Sequence, residues 1–305
     1  MTRHAGVWDV TAALDGEAVR DLSEFVTVAD GLDHPEGVAS GPDGTIYAGG
    51  EAGQIYRIGA DGSLTQLASV DGFCLGLALD ADSNVYICDN TAHVVKRVAP
   101  DGSISVYSSG TIDRPLATPN FPVFDARGNL YVSDSGSWNG NDGCIFVTRS
   151  NGTTELFTDK VTAFPNGLCL SPDGHWLYVV VSELPGIVRV AIEADGSAGA
   201  IETVVDLPKN VPDGIAFDMD GTLYIACYAP SVIYRLRPGG PLEVFGYDWQ
   251  NTQLAAPTNI AFQGSDRTTM VIGSLARWHL TKIDVEVPGA PLHFPSIEYE
   301  GAKCR

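Results

Sequence analysis

Positive charge is scarce in this chain: 18 Lys and Arg stand against 38 Asp and Glu in 305 residues, a formal net charge of −20 and a pI near 4.4. Such a field repels phosphate backbones and anionic lipid, so neither nucleic acid nor a membrane surface is an expected partner, whereas a cation is attracted. Long apolar runs are missing too, and no stretch approaches the ~18–20 uncharged apolar residues of a spanning helix. The opening segment MTRHAGVWDVTAALDGEAVRD lacks the apolar centre of a secretory leader, which makes the cytoplasm the default compartment. No CxxC pair occurs. Cys74, Cys88, Cys144, Cys169, Cys227 and Cys304 therefore read mostly as reduced core thiols, not a disulfide frame. His4, His34, His93, His175, His279 and His293 show no zinc-site spacing. Neither a GxSxG elbow nor a phosphate-cradling loop is present, which removes serine hydrolases and nucleotide enzymes.

What the chain has in abundance is turn residues, 34 Gly and 18 Pro, and a repeat. Segments ending in an apolar strand recur from His34, Phe73, Thr118, Phe164, Val211 and Ala256, with marker positions Tyr47, Tyr86, Tyr131, Tyr178, Tyr224 and Met270. A period of about 40–50 residues signals a propeller, solenoid or array. Each copy reads as four short strands joined by DG-type turns, without a sustained helical period. Six such units predict an all-β fold, a six-bladed β-propeller, as one domain over residues 1–305: an N-terminal extension 1–23, the propeller 24–288 and a loosely packed tail 289–305. The sixth copy lacks a fourth strand after Ile283, and residues 24–28 stand where that strand belongs. An N-terminal strand completing the last blade closes the ring and removes its edges.

In such a meander the start of the innermost strand and the loop between the second and third strands share one end. The variable loops 49–53, 89–93, 134–143, 182–186, 227–231 and 274–277 therefore form the mouth, the place where sites usually lie. At the start of the six axial strands stand Glu36, Leu75, Asn120, Asn166, Asp213 and Thr258. Two carboxylates and two amide oxygens make a hard, oxygen-only shell suited to Ca²⁺, Mg²⁺ or Mn²⁺. Pro-Glu-Gly, Pro-Asn-Gly and Pro-Asp-Gly are also good turn tripeptides, so each residue alone reads equally as turn chemistry. Leu75 and Thr258 show that the turn itself demands neither acid nor amide, which favours a cation site for the four in register. Asp89 and Asp134, closing two second strands, read as loop-bonding groups, and Glu51 and His34 as rim residues.

The repeat count, the strap strand and the motifs HPEG, TPN, FPNGL and VPDGIAFD resemble the regucalcin (senescence marker protein)/gluconolactonase family over residues 24–285. The resemblance implies six-bladed propellers that hydrolyse lactones with one divalent ion, Ca²⁺ first, with Mg²⁺, Mn²⁺ or Zn²⁺ as alternatives. By motif, Glu36, Asn166 and Asp213 match direct metal ligands, and Asn120 matches a ligand or substrate contact. Asp213 also matches the catalytic base or nucleophile, with a metal-held hydroxide as competitor. Sugar-lactone members carry an arginine two residues before the Asn120 position and an aspartate after it. This chain has Thr118 and Phe121 there, which points to a less polar lactone or small carboxylic ester. Thr118, Asn120, Phe121, Trp138, Leu75 and Trp278 are the expected substrate contacts, with Phe73 and Phe164 as further walls. The expected form is a monomer or small homo-oligomer. The competing readings are a phosphotriesterase or lyase in the same pocket, or a binding propeller of the NHL kind with no cation.

Overall fold

The computed structural model describes residues 18–59 and 61–298. The N-terminal extension to residue 17, His4 and Cys304 lie outside them. Among the described residues, twenty-four strands form six four-stranded antiparallel sheets. Five are consecutive meanders, and the sixth is completed by the N-terminal strand Val26–Asp30 paired to His279–Asp284. This strap lies two residues downstream of the expected segment, because Asp21 caps a 3₁₀ turn at Leu22–Glu24 that delays strand entry. Among the described residues no helix is long and apolar enough to cross a membrane.

The axial strands are Val38–Ser40, Cys74–Leu79, Pro119–Phe124, Pro165–Leu170, Val211–Phe217 and Pro257–Gln263. Each contacts the next, and the sixth contacts the first, so the ring closes in chain order. Closure is tight enough to restrict side chains. A Cβ on Gly214 would lie 2.5 Å from the Thr258 carbonyl oxygen, and one on Gly273 2.4 Å from that of Glu36. Thr258 Oγ1 also donates to the Glu36 carbonyl at 2.7 Å.

Between blades the core follows from the repeat. The marker tyrosine of one blade meets a phenylalanine on the next axial strand edge-to-face. Tyr86 lies 4.9 Å from Phe124, Tyr178 4.9 Å from Phe217, and Tyr224 6.1 Å from Phe262. These contacts contribute beyond plain area burial. The uniform basal turns are held by their aspartates: Asp125 Oδ1 accepts from the Arg127 and Asn129 amides, with Gly128 at φ +81°. The buried cysteines Cys74, Cys88, Cys144 and Cys227 and the half-buried Cys169 are free thiols, as expected.

The described part of the tail, residues 289–298, departs from expectation. Rather than being loosely packed, it runs across the base of the propeller. Met219 N donates to Pro288 O, Ala290 N to Phe217 O and Ala81 N to Pro295 O. Phe294 packs on the blade 1–2 core and Ile297 on the blade 2–3 core. Its short proline-broken sequence carries no periodicity, which is why the docking could not be read from it.

The strap is anchored by Phe25, 2% exposed and edge-on to Phe245 at 6.1 Å. Phe25→Ala is expected to cost about 3–4 kcal/mol in urea denaturation. A cost below ~1 kcal/mol would show that the seam contributes little.

Candidate metal centre and active site

A recurring backbone irregularity sets out the ring. In blades 2 to 6 the first two strands pair on either side of a bulge: Cys74 to Leu77, Pro119 to Pro122, Pro165 to Leu168, Pro212 to Ile215 and Pro257 to Ile260. In each, two residues of the axial strand oppose one residue of its neighbour. The first of the two is Leu75, Asn120, Asn166, Asp213 or Thr258. A bulge re-aims a side chain out of the regular pleat, and here it does so at the same height in each blade.

Asn120 and Asn166 are 4% and 5% exposed, and each is fixed by a serine from the end of its blade's second strand. Asn120 Nδ2 donates to Ser135 Oγ at 3.0 Å, and that hydroxyl donates to the Pro165 carbonyl at 2.8 Å. Asn166 Nδ2 donates to Ser182 Oγ at 3.4 Å, and that hydroxyl donates to the Pro212 carbonyl at 2.7 Å. The serines thus occupy the amide nitrogens and settle which way each amide is turned. Asn166 Oδ1 is left buried without a hydrogen-bond partner, as is Asp213 Oδ1.

The two carboxylates are equally enclosed, Glu36 at 5% and Asp213 at 7% exposure. Burial raises Glu36 well above the ordinary carboxylate range, and the nearby Asp213 and Glu51 charges raise it further. Burial pushes Asp213 up to about 7. No basic side chain contributes to either shift. Two buried acids, an orphaned carboxylate oxygen and an orphaned amide oxygen on one ring fit a hard divalent cation, which would replace the hydration they have lost.

The structure brings Glu36, Asn120, Asn166 and Asp213 onto one ring, but it distributes the expected substrate contacts more widely. Trp138 is 53% exposed at the mouth and lies edge-on to Phe164 at 4.9 Å. Trp278, 52% exposed, lies tilted against His34 with ring centroids 5.6 Å apart. Thr118 is half-buried, its amide held by Asp134 Oδ1 at 2.7 Å and its carbonyl by Ser135 N at 2.9 Å. Leu75 holds its ring position but is 5% exposed and belongs to the blade 2–3 core, where Phe73 also packs. Phe121, the second residue of its bulge, packs against the blade 3–4 core and lines a cavity on the basal side with Pro122 and Val123. Asp89 and Asp134 bond loop amides as expected.

Sequence reasoning missed three features. Ser135 and Ser182 are single hydroxyls whose partners lie a blade away. Asn259, 1% exposed with an orphaned Oδ1, follows Thr258 in the same bulge. Asp33 joins His34 and Glu51 in a rim cluster whose ligating atoms lie within 4.8 Å of one another. That cluster is partly exposed to water, so its charges carry less of the desolvation cost that makes the ring demand a cation.

Two outcomes follow for cation-free protein. Both ring carboxyls hold protons in the folded state at pH values where the unfolded chain has released them. Stability should therefore fall as pH rises from the ordinary values of 3.8 and 4.5 through about 7. Thermal melts should show this loss, and a divalent cation should reverse it. Ser182→Ala, freeing the Asn166 amide, should weaken cation binding about tenfold in a calorimetric titration. An unchanged affinity would remove the serine from the site's support.

The sequence profile of the SMP-30/Gluconolactonase/LRE-like region matches residues 51–276, and that of the strictosidine synthase-like N-terminal region matches residues 20–58. The 6-deoxy-6-sulfogluconolactonase of Pseudomonas putida is 30% identical over 140 residues, 41% of this chain and 47% of that protein. The gluconolactonase of Zymomonas mobilis is 26% identical over 185 residues, 54% and 51%. The chain thus spans about half the length of the curated relatives it matches. Among solved structures, a gluconolactonase from Xanthomonas campestris superposes with TM-score 0.73 at 20% identity, covering 93% of this chain and 94% of that one. The calcium-binding protein regucalcin from Agrobacterium tumefaciens gives 0.73 at 18%, covering 93% and 100%. With its propeller closed by the N-terminal strand and the profile matched over most of its length, the chain belongs to the SMP-30/gluconolactonase/LRE-like family.

Proposed function

We propose that the protein is a divalent-cation-dependent hydrolase that opens a lactone, or cleaves a small carboxylic ester, less polar than a sugar lactone. The observation that carries this reading is the pair of buried carboxylates on the propeller axis, without a basic neighbour to offset them and with an orphaned oxygen on Asp213. The lactonases among the relatives support the reaction class, and the calcium-binding neighbour supports the choice of ion.

Glu36, Asn166 and Asp213 would hold the cation, with Asn120 completing its shell or meeting substrate. When bound there, such an ion would supply Lewis-acid polarisation of the substrate carbonyl and stabilise the negative charge that develops on it. With that positive charge beside it, Asp213 would be held as a carboxylate at neutral pH despite its burial. It takes a proton from the attacking water as the new C–O bond forms, or attacks the carbonyl carbon itself. In the first route the ring C–O bond then breaks, and the proton held on Asp213 passes to the departing alkoxide. In the second, that bond breaks as an Asp213 mixed anhydride forms, the alkoxide takes a proton from water, and a further water cleaves the anhydride to return the carboxylate. Asn120 and Asn166, their nitrogens occupied by Ser135 and Ser182, present fixed amide oxygens that lose little freedom when substrate arrives.

The rim favours an apolar substrate. The exposed aromatics among the described residues, Trp138, Tyr228, Trp249 and Trp278, all fall on loops or strand ends of the mouth face. Thr118 supplies one hydroxyl where sugar-lactone enzymes carry arginine, so a polyhydroxylated ring would leave its groups unpaired.

Metal analysis of purified protein, with a panel of lactones and esters before and after EDTA, tests this. The expected result is activity lost on chelation and restored by Ca²⁺ or another divalent ion. Asp213→Asn should lower kcat by at least about a thousandfold with the fold intact by circular dichroism. Protein that turns over none of these substrates with any divalent ion would favour a binding propeller. Wild-type rates in the variant would remove Asp213 from the chemistry.

A further inference from the structure

On the face opposite the mouth, the inner ends of all six axial strands and the tail segment 290–294 enclose a cavity of about 560 Å³. Its size lies within the ~300–1,000 Å³ of small-molecule sites. The walls are Val, Leu, Ile, Ala, Phe and Pro side chains with a few backbone groups and serines. Although the chain has 38 Asp and Glu, none among the described residues lines this cavity. The residues there that can carry positive charge are Arg267, from the basal turn of blade 6, and His293, from the tail. Cys169 also faces it, but burial raises that thiol and keeps it neutral.

Arg267 is held in place. Its Nε donates to the Gly289 carbonyl at 2.8 Å, and the Gly289 amide returns a bond to the Arg267 carbonyl at 2.9 Å. The residue sits at φ +54°, a conformation that a side chain adopts only when its surroundings enforce it. The basal turn and the tail thus fix one guanidinium beside an apolar chamber on an otherwise acidic molecule.

We propose that this chamber is a second ligand site, separate from the catalytic ring, for an amphipathic carboxylate with an aliphatic body of about eight to twelve carbons. The aliphatic chain occupies the apolar walls, and the carboxylate meets Arg267 and His293. A cation finds no acid there, and a sugar would leave its hydroxyls unpaired. A small inorganic anion would use the guanidinium but none of the apolar surface. The inference does not depend on the hydrolase reading.

Titration calorimetry on EDTA-treated full-length protein, with octanoate, decanoate, dodecanoate and the neutral decanol, tests it. Decanoate should bind saturably, one per chain, and equally well to Asp213→Asn. Arg267→Gln should weaken decanoate about tenfold while changing decanol less than about twofold. Ala216→Phe and Ala78→Phe, which enter from walls on opposite blades, should abolish both; either one suffices if the other fails to fold. The proposal is overturned by absence of saturable binding, by binding that survives the filling variants, or by loss of binding in Asp213→Asn. An equal loss of decanol and decanoate in Arg267→Gln also overturns it, because the guanidinium would then be holding the tail rather than the ligand.

Discussion

Glu36 and Asp213 share an enclosed space at the centre of the ring; both are more costly to ionise for the water they have lost, and Glu36 also for the presence of Asp213. Left alone, the pair would hold protons near neutrality. The scaffold nevertheless holds it there with bulges at matching heights, glycines that let neighbouring backbones touch, and serines that turn two amides the same way. On the proposed reading a divalent cation would relieve the repulsion, and the same relief would make Asp213 useful as a base. Folding, cation binding and catalysis thus meet in one electrostatic constraint.

That constraint explains how the rest of the chain is organised. A ring of short axial strands can hold oxygens at fixed positions only if it cannot splay, so the strap from Val26 to Asp30 and the tyrosine–phenylalanine contacts between blades bear directly on the site. The mouth loops hang on that rigid frame and are free to vary. At one side the loop of blade 3 is bonded to that of blade 4 through the Asn139 amide and Glu183. The base is built differently: its turns are uniform, and the tail crosses them from blades 5 and 6 to blades 2 and 3.

Much of this was legible in the sequence because a propeller repeats its chemistry at a fixed period. Tyr47, Tyr86, Tyr131, Tyr178 and Tyr224 mark the strands, and counting back from them reaches the ring residues without any structure. The unpaired strand near the N-terminus signalled closure for the same reason, although the Asp21 cap moved its start. What escaped depends on contacts between blades or on local backbone geometry. Ser182 gains its meaning from the Pro212 carbonyl in the next blade. Phe121 packs on the blade 3–4 core and lines the basal cavity with Pro122 and Val123, contacts that only the closed ring brings together. The tail has no period at all, so only the folded chain shows where Phe294 and Ile297 dock.

The central claim is that one dication sits on the ring axis, and anomalous diffraction from crystals grown with Mn²⁺ or Ca²⁺ tests it most directly. The account predicts a single strong peak bounded by oxygens of Glu36, Asn166 and Asp213, with Asn120 beside it. A featureless axis at saturating ion, or a peak confined to the Asp33, His34 and Glu51 cluster at the rim, would contradict it.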